Sequence, residues 1–382
     1  MLHRVGGGGY AADLLLEQAA ALTSRDAGLA SQLVFGCLRY QLQLDFLIGH
    51  FSGRDPNDLD EAVRLLLRLG IFQLRYLDRV PAHAAVHEAV ELAKKHRRGA
   101  SGLVNAVLRK VTRRAVLWPD QATELSCPAW LLDRWTHHFG AEQARAIAQA
   151  ALTEPAKYIR IALGSEPPAG VTIEQTEVPG CVRVIEGDTQ SLRLQDVGSQ
   201  SVIPHLNLKP GQTLLDLCAA PGNKIRQALE TPVHAIACDI SFRRISEMPG
   251  LCPRAVLDAT VALPFRRRFD RVLIDAPCSG TGTLGRNPEI KWRVRAEDLV
   301  RLQKIQIAIL KNGLGQLADG GRLVYATCSL EREENEDVVG AALADAPGEI
   351  TLVSEHWRLP GRDRGDGFYV AVITSDKSAV TG

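Results

Sequence analysis

The chain has 382 residues, of which 46% are hydrophobic and 23% are charged, and its net charge is +1. This length exceeds what one compact core commonly holds, so two or more domains are expected, and the composition argues against a largely disordered protein. Neither a membrane span of roughly 18 apolar residues nor a recognisable signal peptide is visible in the sequence, which predicts a cytoplasmic protein that does not bind membranes.

Apolar residues recur at helical spacing from residue 11 to about 150, as in AADLLLEQAAAL and HAAVHEAVELAKK. Short polar or Gly/Pro breaks separate these segments. We therefore expect an all-helical domain over residues 1–125. Because the chain begins at or inside the expected first helix, that helix should be short, or the true start should lie upstream.

A basic run closes the helical half. Residues 94–114 contain eight Lys and Arg and no acid, a pattern typical of a phosphate-binding surface. A solvated helix face explains such a run equally well. The candidate RNA-contacting residues here are Lys94, Lys95, Arg97, Arg98, Arg109 and Lys110.

Residues 126–200 are predicted to form a linker and a small α+β subdomain, with strands in KYIRIALG (157–164) and CVRVIEG (181–187). From 201 to 382 short β-rich runs alternate with helical segments, which indicates an α/β domain with a mostly parallel sheet covered on both faces. Ligands of such sheets bind at the carboxyl ends of the strands. The predicted strands are 213–217, 234–239, 254–259, 270–277, 321–328 and 368–374.

Acidic residues follow three successive predicted strands. The first strand ends at Asp216 and enters a loop of small residues, 218–224, whose free amides favour an anionic group. The loop fits neither the P-loop nor the G-x-G-x-x-G pattern. Asp239 and Asp258 follow the next two strands, where each could cap a helix. Together the three acids suit an adenosine with a cationic neighbour.

Two cysteines follow the next strands, Cys278 after Asp275-Ala276-Pro277 and Cys328 between Thr327 and Ser329. A thiolate is the nucleophile that cytosine chemistry needs, because carbon 5 is unreactive until a group adds to carbon 6. The chain has eight cysteines but no C-x-x-C pair, which argues against a zinc site or a disulfide framework. We expect the other thiols to be reduced and mostly part of the core.

The motifs DLCAAPGNK, DAPCSGTG and YATCS resemble those of the RNA (cytosine-5) methyltransferases, and most closely those of the RsmB/Sun family, which acts on 16S ribosomal RNA. The resemblance implies a Rossmann-like class I S-adenosylmethionine-dependent methyltransferase domain. It makes Cys328 the nucleophile and Cys278 the thiol that assists product release, with Asp275 beside the methyl group and the cytosine ring. It assigns the ribose to Asp239, the adenine edge to Asp258, and the rest of the cofactor to Cys218, Ala219, Ala220, Pro221, Gly222, Asn223 and Lys224.

The helical half is similar to the NusB-like RNA-binding domain of this family, through segments such as LASQLVFGCLRY and GLVNAVLRK. This implies an RNA partner, 16S rRNA in particular. Apart from the resemblance, Lys291, Arg266, Arg267 and Arg268 on the catalytic half are candidates to extend the RNA path of the basic run, although any one of them alone could be a solvated surface charge. We expect a monomer that binds no metal, because the sulfonium of the cofactor is already a strong electrophile. The alternatives are a transfer RNA substrate, or an RNA-binding factor with an inactive methyltransferase domain. A DNA cytosine methyltransferase is disfavoured by Cys328 and by the lack of a target-recognition domain.

The sequence departs from the family pattern at two positions of the first loop. Asn223 and Ile225 stand where the family has the second Gly and the Thr of Gly-Gly-Lys-Thr. Since Asn tolerates left-handed backbone angles, the loop is still expected to form. The departure puts cofactor affinity in question.

Overall fold

The computed structural model describes residues 1–19, 21–161, 165–189, 191–346 and 350–375. It divides into two compact units, Met1–Glu154 with Leu284–Arg293, and Pro155–Thr283 with Val294–Gly382. In the described residues no helix has the length and apolar character that crossing a bilayer requires.

The first unit is helical, as the apolar periodicity predicts. Its core is formed by residues spaced three or four apart on successive helices, such as Leu44, Leu47 and Ile48 on one helix and Val63, Leu67 and Ile71 on the next. Its helices in chain order are α1 (Leu2–Gly6), α2 (Ala11–Ala19), α3 (Ser24–Arg39), α4 (Gln41–Ser52), α5 (Glu61–Tyr76), α6 (Ala82–His96), α7 (Ser101–Lys110), α8 (Gln121–Glu124), α9 (Ala129–Phe139) and α10 (Ala141–Ala150).

The helical unit is larger than the domain expected over residues 1–125. It continues to Glu154, and it includes the segment 284–293, which the sequence assigned to the α/β domain. Polar contacts explain this: the Trp292 indole N–H donates to the Leu38 carbonyl at 2.8 Å, and Glu289 Oε1 accepts from the Ala11 amide at 3.0 Å. A segment that leaves one fold to pack in another carries no signal in hydrophobic periodicity.

The second unit begins with a small antiparallel sheet of order β1-β3-β2, made of β1 (Lys157–Arg160), β2 (Thr172–Gln175) and β3 (Cys181–Glu186). The predicted strands at 157–164 and 181–187 are β1 and β3, although residues 162–164 lie outside the described part of the chain. The strand β2 was not predicted. With four residues, it is too short for its alternation to stand out.

The main sheet has seven strands in the order β6-β5-β4-β7-β8-β10-β9. The first four neighbouring pairs are parallel, and β10 runs antiparallel between β8 and β9. Its strands are β4 (Thr213–Asp216), β5 (His234–Asp239), β6 (Arg254–Val256), β7 (Phe269–Asp275), β8 (Leu317–Thr327), β9 (Thr351–Arg358) and β10 (Phe368–Thr374). The mostly parallel sheet is the predicted one, with β9 added at its edge.

Both faces of this sheet are buried. On β7, Val272 and Ile274 belong to one apolar cluster while Leu273 belongs to another, because successive side chains of a strand point to opposite faces. The remaining helices, in chain order, are α11 (Val197–Gln200), α12 (Asn223–Ala228), α13 (Phe242–Ser246), α14 (Ile290–Arg293, in the helical unit), α15 (Ala296–Gly315) and α16 (Glu336–Ala344). The architecture is Rossmann-like.

Candidate active site

The carboxyl edge of the main sheet carries the predicted site. Asp216, Asp239 and Asp275 are the last residues of β4, β5 and β7, and Cys328 follows β8. A cavity of about 300 Å³ opens at this edge. Of the predicted site residues, those that line it are Cys218, Ala220, Asp239, Asp258, Asp275, Cys278 and Cys328.

The other predicted loop residues, Ala219, Pro221, Gly222, Asn223 and Lys224, do not line this cavity. Gly222 has φ +96°, and its amide donates to the carbonyl of Ala219 at 2.7 Å, which closes the turn into α12. Asn223 is the first residue of α12, and its side chain accepts from Arg193 at 2.6 Å. The left-handed position is therefore Gly222, and the tolerance of Asn for such angles is not what the loop depends on.

Lys224 is directed at Asp275. The ammonium donates to Asp275 Oδ2 at 2.7 Å and to the Ser199 hydroxyl at 3.0 Å, and it lies 5.1 Å from the centre of the Phe368 ring. The lysine is buried, whereas about a third of the Asp275 side chain is exposed. This ion pair fixes the carboxylate of Asp275 at the wall of the cavity.

Asp216, the first of the three strand-end acids in the sequence, is buried and does not itself line the cavity. It is 1% exposed, its Oδ1 accepts from the Cys218 amide at 3.3 Å, and its Oδ2 has no hydrogen-bond partner in the described part of the chain. Burial, together with the charge of Asp275, raises the pKa of Asp216 to about 8. In the sequence, the position of Asp216 at the end of a predicted strand is what indicates that it lies near the ligand-binding edge of the sheet.

Asp239 and Asp258 each hold the chain around the cavity. Asp239 Oδ2 accepts from the Ala220 amide at 3.2 Å, so it links the first loop to β5. Asp258 lies two residues beyond β6, and its Oδ1 accepts from the hydroxyl and the amide of Thr260 at 2.7 and 2.8 Å. These bonds, the hydroxyl first, lower the pKa of Asp258, so it is ionised at neutral pH.

The two predicted cysteines meet in the cavity. The sulfur atoms of Cys278 and Cys328 lie 3.4 Å apart. The bond to Cys328 and then burial raise the pKa of Cys278 well above its usual range. Cys278 is therefore a thiol at neutral pH, able to donate its proton to the neighbouring sulfur.

The loop that follows Cys278 passes close to the end of β8. The Gly282 amide donates to the Cys328 carbonyl at 2.9 Å, and a Cβ at Gly282 would lie 2.8 Å from that oxygen and 2.5 Å from the carbonyl of Gly367. Only glycine fits this approach. The Ser-Gly-Thr-Gly segment thus fixes the distance between the two cysteine-bearing loops.

In the described part of the chain no disulfide bond joins any of the cysteines, and Cys37, Cys127, Cys181 and Cys238 are buried. Within the described residues there is no group of three or more His, Cys, Asp or Glu side chains that could hold a metal ion.

The basic run is exposed but partly neutralised. The predicted RNA contacts Lys94, Lys95, Arg97, Arg98, Arg109 and Lys110 are all exposed, as are Arg266, Arg267 and Arg268. Acids from outside the run pair with three of its members: Lys94 with Glu91 at 2.7 Å, Arg97 with Asp60 at 3.0 Å and Arg113 with Asp78 at 2.5 Å. Lys95, Arg98, Arg109 and Lys110 have no acidic partner among the described residues.

Lys291 was predicted to contact RNA, and that prediction is wrong. The side chain is 1% exposed, and its ammonium donates to the carbonyls of Arg39 at 2.9 Å and Ser126 at 2.7 Å, inside the helical unit. Burial lowers its pKa to about 7. A lysine in a polar stretch is ordinarily exposed, and the sequence gives no sign that segment 284–293 is buried.

Comparison with known proteins covers both units. Residues 203–374 match the family model described as 16S rRNA methyltransferase RsmB/F, and residues 9–113 match the NusB family. The chain is 31% identical to the probable ribosomal RNA small subunit methyltransferase B of Bacillus subtilis (strain 168), over 90% of this chain and 86% of that protein. It is 33% identical to ribosomal RNA small subunit methyltransferase B of Klebsiella pneumoniae, over 92% of this chain and 91% of that protein.

Among solved structures, the crystal structure of PH0851 is similar with a TM-score of 0.76 at 22% identity, over 92% of this chain and 91% of that one. This likeness supports the fold. The family models and the extended identity to the two methyltransferases establish more: the chain belongs to the RsmB family of ribosomal RNA small subunit methyltransferases, with a NusB-family region in its helical half.

Proposed function

We propose that this protein transfers a methyl group from S-adenosylmethionine to carbon 5 of a cytosine in RNA, and that 16S rRNA is its substrate. The observation that carries the proposal is the pair of sulfurs, Cys278 and Cys328, 3.4 Å apart in the cavity that Asp275 also lines. One thiol is enough for nucleophilic attack on the pyrimidine. A second thiol next to it supports a further step, the release of the covalent adduct.

The cavity suits S-adenosylmethionine. Its volume of about 300 Å³ is that of a small-molecule site. Carboxylates of Asp239 and Asp258 line it, as hydrogen-bond acceptors for ribose hydroxyls and an adenine amino group, and Leu257 and Ile309 offer apolar contact to the base. The acidic side chains of Asp239, Asp258 and Asp275 on its wall favour a cationic ligand over an anionic one.

The cysteine chemistry begins on the pyrimidine. The Cys328 thiolate would add to carbon 6 of a cytosine that has left its stack, forming the sulfur–carbon bond while negative charge moves onto the ring. Asp275, held by Lys224 at 2.7 Å, would accept a hydrogen bond from ring N3 once it is protonated. When bound, S-adenosylmethionine supplies the electrophilic methyl group for carbon 5.

Release reverses the addition. A base, for which solvent suffices, takes the carbon 5 proton, and the electron pair of that C–H bond forms the double bond between carbons 5 and 6. The bond between carbon 6 and the Cys328 sulfur breaks, and its electron pair returns to that sulfur. Cys278, whose pKa is raised by the bond to Cys328 and by burial, holds a proton next to the departing sulfur. We assign the assistance of this step to Cys278.

The RNA substrate is inferred from the helical half. A NusB-family region spans residues 9–113, and the exposed residues Lys95, Arg98, Arg109 and Lys110 in or next to it are available for phosphate contacts. Both relatives are named for the small-subunit ribosomal RNA.

The test is an assay with purified protein, S-adenosylmethionine carrying a labelled methyl group, and unmodified 16S rRNA or transfer RNA. Nucleoside analysis should find 5-methylcytidine in the 16S rRNA alone. Label on another base would refute the carbon 5 assignment, and label on transfer RNA alone would refute the substrate. Binding of RNA without binding of S-adenosylmethionine would instead identify an RNA-binding factor with an inactive domain.

A further inference from the structure

Glu334 is a buried carboxylate that connects the two cysteine-bearing loops. It is 0% exposed, in the turn after β8. Its Oε1 accepts from the Ser279 amide at 2.8 Å, and its Oε2 accepts from the hydroxyls of Ser279 and Ser329. Ser279 directly follows Cys278, and Ser329 directly follows Cys328. One side chain therefore holds the neighbours of both sulfurs.

Burial raises the pKa of Glu334, and the hydrogen bonds around its carboxylate oppose that rise. Gln306 Nε2 donates to Glu334 Oε1 at 3.0 Å and also to the Pro277 carbonyl at 2.8 Å, one residue before Cys278. With the bonds from Ser279 and Ser329, each carboxylate oxygen accepts two hydrogen bonds. A buried charge is stable only where donors of this kind are fixed around it. The two loops therefore stabilise the carboxylate, and the carboxylate in turn holds the two loops in place.

Glu334 does not itself line the cavity, so it positions the sulfurs through the chain. The bond to Cys328 and burial raise the pKa of Cys278, and the charge of Glu334 adds to that rise. The Ser329 hydroxyl accepts from the Glu331 amide at 3.0 Å and donates its one proton to Glu334, because an ionised carboxylate can only accept. A glutamine at this position would keep the size of the side chain but turn one acceptor into a donor, facing groups that also donate. The carboxylate charge is thus what the network requires.

We propose that Glu334 is a positioning residue for the covalent chemistry: it sets the separation and orientation of Cys278 and Cys328 by binding Ser279 and Ser329. The inference rests on the proposed function, because it assumes that Cys328 adds to the pyrimidine. It extends that function to a residue that does not line the cavity.

The experiment measures how fast Cys328 forms its covalent bond to RNA. In a Cys278→Ala background, in which the adduct accumulates, the rate of adduct formation on a denaturing gel is compared with and without Glu334→Gln. The expected slowing is about 100-fold, as small displacements of reacting groups produce. The dissociation constant for S-adenosylmethionine should change less than about threefold, which a general loss of structure would not allow. Glu333→Gln, the same charge change one residue away at a partly exposed site, is the matched control and should have no effect.

An unchanged adduct rate in Cys278→Ala/Glu334→Gln would overturn the inference while leaving the proposed function intact. A Cys278→Ala protein that forms no adduct at all would count against the proposed function itself. If Glu334→Gln lowers the melting temperature too far for the assay, the rate of adduct formation is measured instead for Ser329→Ala in the Cys278→Ala background. Ser329→Ala removes one of the two loop contacts and should slow the adduct about tenfold, and an unchanged rate there would also overturn the inference.

Discussion

The sulfurs of Cys278 and Cys328 lie 3.4 Å apart although 50 residues separate them in the chain. Parallel pairing of β7 with β8, which places Asp275 opposite Ala326, brings the two strand ends to one point of the sheet edge. The approach at Gly282 and the carboxylate of Glu334 then fix the loops that follow. The site is therefore a product of the sheet register, and changes to its supports should alter rate more than fold.

Replacing Lys224 tests the support of Asp275. Lys224→Met leaves the Asp275 carboxylate without its ion pair, so we expect the single-turnover rate of methyl transfer to fall about 100-fold because the carboxylate is no longer held in place. Rapid-quench measurement with labelled cofactor gives this rate. Lys209→Met, which removes an exposed lysine of the same unit, is the control. A Lys224→Met protein as fast as the wild type would show that the ion pair is only structural.

Asp216 should make stability depend on pH. Its pKa in the folded protein is raised to about 8 by burial and by Asp275. A carboxyl group whose pKa is raised on folding stabilises the folded protein fully at pH values below its pKa in the unfolded chain. This stabilisation is lost as the pH rises through its pKa in the folded protein. The free energy of unfolding should therefore fall relative to Asp216→Asn between pH 5 and pH 8, by up to about 1.4 kcal/mol per pH unit.

Urea denaturation of both proteins in this range, without cofactor, gives that difference. A constant difference between Asp216→Asn and the wild type would mean that Asp216 is already ionised at pH 5. The pH dependence would then have to come from other groups.

The basic run should account for the salt dependence of RNA binding. Replacing the four cations without acidic partners (Lys95, Arg98, Arg109 and Lys110) by Gln should weaken RNA binding and flatten the slope of log affinity against log salt by about 1 for each phosphate that is no longer neutralised. Filter binding over a range of salt concentrations measures this slope. Lys291→Met removes one lysine at a buried position and should leave the slope unchanged. An unaltered slope in the fourfold variant would place the RNA path elsewhere.

Much of the α/β half was predictable because local patterns decide it. The strands β5 and β10 have the predicted bounds, and the strand-end positions of Asp239, Asp275 and Cys328 follow from the alternation of strands and helices. The parallel sheet then determines that these residues share one edge. Sequence periodicity was sufficient here because each strand, and the alternation of strands with helices along the chain, is a local feature of the sequence.

Other features depend on tertiary contacts that no short segment reveals. The sequence predicts that Lys291 is an exposed cation, but segment 284–293 packs in the helical unit. The direction of Lys224 toward Asp275 depends on the path of α12. Glu334 lies in an acidic stretch, EREENED, in which composition alone predicts only exposed charge.

The edge strand β9 shows a further limit of pattern reasoning. Its sequence, TLVSEHWR, alternates weakly, and none of its residues is fully buried. Its place in the sheet comes from antiparallel pairing with β10, with Phe368 opposite Arg358. Backbone pairing of this kind leaves little mark on the order of apolar and polar residues.

The central claim is that the thiolate of Cys328 forms a covalent bond to the RNA. The most direct measurement incubates Cys278→Ala and Cys278→Ala/Cys328→Ala with RNA and S-adenosylmethionine and separates the products on a denaturing gel. The single variant should give a protein–RNA band that mass spectrometry assigns to Cys328, and the double variant should give none. A band that persists in the double variant, or undiminished methylation by Cys328→Ala alone, would contradict the account.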